Sequence, residues 1–243
     1  HGDFAGAIVG LSLGQFHRQH TLVEAGSDLV GIDVGGQAQG AAHAAMPPFS
    51  HHEGRPRVIV SMGGSDPQGL TRTAVRALAL LKGDFEVTVV VGPGADTRLE
   101  GELAEIAPRF SVVRSPNDLP RLMSEADLGL ISFGVTAYEL AALGVPAVYL
   151  CLTDDHALSA SAFERAGMGV SLGVASRVSP ATAAQAVNDL LADPQRRRSM
   201  GAAGRMNVDG RGAMRIAERI RRLVVDRATA LEPVISSKVV LAS

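Results

Sequence analysis

Val58-Ile59-Val60-Ser61-Met62-Gly63-Gly64-Ser65-Asp66-Pro67 decides how the chain is read. A short apolar run meets two glycines, a capping residue and a proline. Leu70, Ala74, Ala77, Leu78 and Leu81 then fall on one face of a helical period. The pattern is a strand, a tight turn and an amphipathic helix, and it recurs downstream. Val87 to Val91 precedes Leu99 to Ile106, and Phe110 to Val113 precedes Leu119 to Met123. Leu128 to Ile131 and Ala147 to Leu152 are each followed by a helical pattern, at 136–143 and 157–166, before a sixth strand at Gly169 to Leu172. Three more helices are predicted at 180–192, 195–207 and 212–224. Parallel strands need a crossover to return the chain, so this alternation predicts an α/β fold, a doubly wound parallel sheet covered on both faces. Ser65-Asp66-Pro67, Ser179-Pro180 and Asp193-Pro194 each place a capping side chain before a proline, which a first helical turn tolerates.

Composition narrows the class of protein. Among 243 residues, 23 Lys and Arg stand against 25 Asp and Glu, a balance that argues against nucleic acid as a partner. No stretch reaches the roughly 20 apolar residues of a membrane span. Cys151 is the single cysteine, which excludes an internal disulfide and a cysteine-based zinc cluster and favours a cytoplasmic setting. The chain opens on His1 without a charged-then-apolar leader, the expected look of a truncation edge and not of a signal peptide. Six of the seven histidines precede residue 55, in a segment rich in Gly and Ala. Residues 1–55 are therefore read as an incomplete or poorly ordered N-terminal segment, 56–223 as the α/β domain and 224–243 as a tail.

In an open α/β sheet, ligands bind beyond the carboxyl ends of the strands, where the strand order reverses. With the common order 3-2-1-4-5-6, the loop Gly63-Gly64-Ser65-Asp66 shares a crevice with Ser132-Phe133-Gly134-Val135-Thr136. Glycines admit a ligand to the backbone, and the start of a helix favours an anion, so a pyrophosphate between Gly64-Ser65 and Gly134-Thr136 is one reading. The other is structural. Ser65-x-x-Gln68 and Thr136-x-x-Glu139 both fit a capping box, in which side chains merely satisfy backbone donors. Neither the dinucleotide fingerprint G-x-G-x-x-G after the first strand nor a P-loop is present, which argues against NAD and ATP, and no cofactor is assigned. His17, His20, His51 and His52 lack companions at zinc spacing, so no metal is assigned either. The arginines from Arg196 to Arg222 alternate with acids and read as a solvated helical surface.

The strand-turn motif through Pro67, together with Ala126-Asp127-Leu128, Thr136-x-x-Glu139-Leu140-Ala141-Ala142-Leu143-Gly144-Val145-Pro146 and Asp209-Gly210-Arg211-Gly212-Ala213, resembles the C-terminal, Rossmann-like half of GT-B nucleotide-sugar enzymes. The Gly-Gly-Ser-Asp-Pro form is similar to the branch that contains the UDP-2,4-diacetamido-2,4,6-trideoxy-β-L-altropyranose hydrolase of pseudaminic acid synthesis and the spore-coat polysaccharide proteins. The MurG glycosyltransferase is a more distant likeness. The resemblance implies that Gly63, Gly64 and Ser65, with Gly134, Val135 and Thr136, hold a UDP diphosphate. It implies that Glu139 binds the ribose hydroxyls, that residues from Leu152 to His156 lie by the sugar, and that backbone around Phe110 to Arg114 reads uracil. In the hydrolase branch the catalytic histidine sits in an N-terminal lobe, in a Gly-x-Gly-His motif. Gly14-Gln15-Phe16-His17 echoes that motif without its second glycine, which makes His17 the candidate base. The implied activity is UDP-sugar hydrolysis in surface-glycan synthesis. The alternatives are a UDP-sugar glycosyltransferase, and a non-catalytic binding domain that needs a partner chain or a missing lobe.

Overall fold

The computed structural model describes residues 54–212 and 214–222, together with the backbone of residues 21–25 and 28–32. Strands β1 (Thr21–Ala25) and β2 (Asp28–Ile32) form an antiparallel pair, Thr21 opposite Ile32 and Ala25 opposite Asp28. In the sequence, two apolar-rich runs separated by Gly26-Ser27 are a hairpin signal.

The α/β domain follows in strict alternation. Strand β3 (Arg57–Ser61) leads to helix α1 (Leu70–Ala79), and β4 (Glu86–Val91) to α2 (Leu99–Ile106). Next come β5 (Ser111–Arg114) with α3 (Leu119–Ser124), and β6 (Leu128–Ser132) with α4 (Val135–Leu143). The unit closes with β7 (Ala147–Cys151), α5 (Asp154–Arg165), β8 (Gly169–Val174), α6 (Pro180–Ala192) and α7 (Pro194–Asn207); residues 214–222 are again helical. The six strands from β3 onward are all parallel, in the order β5-β4-β3-β6-β7-β8. That is the doubly wound order, with its reversal between β3 and β6.

Alternate residues of the strands feed two cores. Val58, Val60, Val89, Leu130 and Val148 pack on one face against Ala74 and Leu78 of α1, Leu99 and Leu103 of α2, and Val187 of α6. Ile59, Ile131, Tyr149 and Cys151 point the other way, onto Met123, Leu140 and Phe163 of α3, α4 and α5. Burial on both sides is why these strands read as continuous apolar runs and not as alternating ones. At the opposite end from the strand tips, Asp127 ties the two central strands together. Its buried carboxylate accepts from the Arg57 backbone N–H at 2.9 Å, while its own N–H donates to the Arg57 carbonyl at 2.8 Å.

Two local expectations change. Ser65-Asp66-Pro67 does not begin α1, which starts three residues later behind Gly69. The Asp66 carboxylate reaches forward to the Leu70 and Thr71 N–H groups, at 2.7 and 2.9 Å. Arg197, expected on a solvated surface, is only 5% exposed. Its guanidinium donates to the Leu190 and Leu191 carbonyls and so closes the C-terminal end of α6. Ser179 and Asp193 cap α6 and α7 as their proline spacing predicts.

Candidate functional site

The strand order brings the Gly63-Gly64 turn and the Ser132-to-Thr136 segment side by side at the carboxyl ends of β3 and β6. A Cβ placed on Gly63 would lie 3.8 Å from the Ser132 hydroxyl. Gly63 has φ +84°, a conformation that disfavours any side chain, and Gly63, Gly64 and Ser65 are all exposed. The Gln68 side-chain amide approaches the Leu152 carbonyl at 3.5 Å, so the β3 loop reaches across to the end of β7. His156 stands there, half-buried in the first turn of α5.

Three helices begin around this crevice, and their electrostatics differ. The first-turn N–H groups of α1 are taken by Asp66, whose carboxylate offsets the helix dipole. Helix α5 is capped by Thr153, whose hydroxyl accepts from the His156 backbone N–H at 3.2 Å. Asp154 and Asp155 add negative charge to its first turn, and Asp154 is paired with Arg177 at 2.8 Å. Helix α4 begins at Val135 behind Gly134, and no side chain among the described residues caps it. Thr136 is therefore the second helical residue and not a cap, so the capping-box reading of Thr136 and Glu139 does not hold. Of the three starts, α4 is the one with no side-chain cap and no first-turn acid among the described residues, so its first N–H groups and dipole suit an anion. Glu139 is four residues after Val135 and three after Thr136, hence on the helical face they share, and is half-buried.

A second layer holds the Gly63-Gly64 turn from the β4 side. The Gly94 N–H donates to the Gly64 carbonyl at 2.8 Å. A Cβ on Gly92 would lie 2.4 Å from the Gly64 oxygen and 2.5 Å from the Gly63 oxygen, so glycine is required for this close approach. Phe110 is buried in the first core, and the Arg114 side chain is engaged with the β4 loop.

Sequence reasoning named Ser132 in the crevice loop but did not foresee the reach of Gln68 to Leu152, since Gln68 is neither a glycine nor a helix start. His17 lies outside the described residues. Cys151 is buried at the end of β7, and burial pushes its thiol up to about 11, which keeps it protonated and unreactive at neutral pH. Among the described residues no group of three His, Cys, Asp or Glu side chains is arranged to hold a metal ion. No described helix is long and apolar enough to cross a membrane.

No protein-family model matches the chain. It is 26% identical over 170 residues to the spore coat polysaccharide biosynthesis protein SpsG of Bacillus subtilis (strain 168), covering 68% of this chain and 50% of that protein. It is 27% identical over 175 residues to the UDP-N-acetylglucosamine--N-acetylmuramyl-(pentapeptide) pyrophosphoryl-undecaprenol N-acetylglucosamine transferase of Rhizobium etli (strain CIAT 652), covering 68% of this chain and 46% of that one. The chain thus spans about half the length of these relatives. Among solved structures, Acinetobacter baumannii MurG superposes with a TM-score of 0.58 at 20% identity, covering 72% of this chain and 55% of that chain. The spinosyn rhamnosyltransferase SpnG, in complex with thymidine diphosphate, gives a TM-score of 0.53 at 21% identity, covering 71% and 44%. The fold is accordingly that of one half of the GT-B glycosyltransferases. The similarities support glycosyltransferase-like and polysaccharide-synthesis relationships; they give no support to the specific hydrolase branch.

Proposed function

We propose that residues 56–223 form the donor-binding domain of a nucleotide-sugar-dependent glycosyltransferase acting in surface-glycan or cell-wall synthesis. The observation that carries this reading is the start of α4, which no described side chain caps, set against the exposed Gly63-Gly64 turn and beside two helix starts where Asp66 and Thr153 accept from first-turn N–H groups. A sugar diphosphate is the anion that two adjacent backbone cradles fit. Gly134, Val135 and Thr136 take one phosphate on the α4 N–H groups, while Gly63, Gly64 and Ser65 take the other. Glu139, one turn further along α4, accepts from the ribose hydroxyls, because an ionised carboxylate can accept two such bonds at once. His156 and the Leu152 end of β7 lie toward the sugar.

In transfer, the bond between the anomeric carbon and the phosphate oxygen breaks, an acceptor hydroxyl takes the sugar, and negative charge grows on the departing diphosphate. Fixed backbone dipoles aimed at that charge stabilise the transition state without having to reorganise. The base that removes the acceptor proton is assigned to no described residue of the crevice, and the remaining half of the relatives' length is where this reading expects it. Transfer is preferred to hydrolysis because a transferase activity is named for the Rhizobium etli relative.

Calorimetry with UDP, UMP and thymidine diphosphate tests the site. UDP binding tighter than UMP at fixed salt is expected, and equal affinity would overturn the two-phosphate cradle. Tighter binding of thymidine diphosphate would move the donor away from uridine. A nucleotide-release assay on the full chain, with and without an acceptor glycan, then separates transfer, hydrolysis by water and binding without turnover.

A further inference from the structure

One side chain binds three carbonyls of the β4 loop that supports the Gly63-Gly64 turn. Arg114, the last residue of β5, directs its guanidinium at this loop and the helix behind it. Nη1 donates to the Gly92 carbonyl at 3.2 Å and the Ala95 carbonyl at 3.3 Å. Nη2 donates to the Asp96 carbonyl at 2.9 Å and to Glu100 Oε2 at 2.8 Å, and Nε donates to Glu100 Oε1 at 2.8 Å. The guanidinium is the one side-chain group with five donors in a rigid fork, so it can satisfy three carbonyls and both oxygens of a carboxylate together. Lysine, with three donors on a single nitrogen, cannot.

The loop held in this way touches the candidate site directly. Gly92 has no room for a Cβ against the Gly63 and Gly64 backbone, and the Gly94 N–H donates to Gly64. Any displacement of the Gly92-to-Asp96 segment is therefore passed to the Gly63-Gly64 turn, backbone against backbone. The strand below adds a second tie, as the Ser115 N–H donates to the Val91 carbonyl at 2.9 Å. We infer that Arg114 is a positioning residue for nucleotide binding: by fixing the β4 loop it sets where the Gly63-Gly64 turn meets the diphosphate. Arg114 itself does not touch the ligand, because its donors are committed. This inference rests on the nucleotide reading of the crevice.

The test compares Arg114→Lys with Glu100→Gln, using UDP as the probe. Lysine keeps the charge and much of the stem at a side chain that is 26% exposed, and a melting curve confirms the fold. Arg114→Lys loses the three-carbonyl clamp, whereas Glu100→Gln leaves those three carbonyl bonds in place and removes the ion pair together with one of the two hydrogen bonds to Glu100. Without ligand, the Gly94 amide is expected to exchange about tenfold faster in Arg114→Lys and at the wild-type rate in Glu100→Gln. UDP affinity is expected to fall about tenfold in the first variant and to stay at the wild-type value in the second. If Arg114 only stabilises the domain through its ion pair, the two variants lose stability together and both keep wild-type affinity, and the inference is overturned. Unchanged Gly94 exchange in Arg114→Lys overturns it as well, whatever UDP does. Failure of the wild-type protein to bind UDP would instead overturn the nucleotide reading, while the exchange rates would still decide whether Arg114 holds the loop.

Discussion

Gly64→Ala separates a turn built for a ligand from a turn built only for the fold. A Cβ added at Gly64 meets no atom within 4 Å, and Gly64 does not adopt a positive φ. The folded chain therefore tolerates alanine. The unfolded chain loses conformational freedom, which stabilises the protein by about 0.4–1 kcal/mol. For a domain of this size that raises Tm by roughly 1–4 °C. The same methyl projects into the open space where the proposed diphosphate must approach the backbone. Crowding of a close contact by one methyl costs about 1–3 kcal/mol, or roughly five- to 150-fold in Kd. Gly92→Ala gives the contrast, since its Cβ would stand 2.4 to 2.5 Å from the Gly63 and Gly64 backbone and both stability and affinity should fall. Scanning calorimetry and titration with UDP on the three proteins supply both quantities. A Gly64→Ala protein with raised Tm and wild-type UDP affinity would refute the reasoning and remove the glycine turn from the site.

Glu139→Ala should weaken UDP binding by about 1–3 kcal/mol, the usual worth of hydrogen bonds to a charged group. A large Tm loss at unchanged affinity would make Glu139 a structural acid. Hydrogen bonding to Arg114 holds the Glu100 carboxyl below its ordinary value of 4.5. A depressed folded-state pKa gives stability that is present above the ordinary value and lost as pH falls through the depressed one. Urea midpoints measured from neutral pH down to about 3 should thus drop less steeply in Glu100→Gln than in wild type, and parallel curves would count against the pair. Phe163→Ala removes a fully buried ring that meets Phe133 and Tyr138 edge-on at 5.1 and 4.8 Å between centroids, and should cost about 3–5 kcal/mol in urea unfolding.

The periodicity of each segment is a local property, and it was enough to read the six parallel strands and the helices between them. It was also enough, through the usual winding order, to pair the Gly63-Gly64 turn with Ser132 to Thr136 in one crevice. The Ser179 and Asp193 caps were legible for the same reason, as cap and proline are neighbours in the chain. The β1–β2 hairpin carried its signal in Gly26-Ser27 but was hidden by the surrounding Gly- and Ala-rich composition.

What the tertiary structure decided was which helix start stays open. Thr136 fits a capping pattern in sequence, yet α4 starts one residue before it; Asp66, and not Ser65, serves α1 from a conformation with φ 42°. A one-residue shift of a helix start changes which N–H groups are satisfied, and a pattern of residue types cannot resolve such a shift. Arg114 was legible only as a charge at the end of a strand. Its carbonyl partners lie 18 to 22 residues earlier in sequence and converge on one guanidinium only because parallel pairing sets β5 beside β4. Local chain chemistry determines the elements and their order, whereas the direction of a side chain's hydrogen bonds depends on the backbone that packing brings within about 3 Å of it.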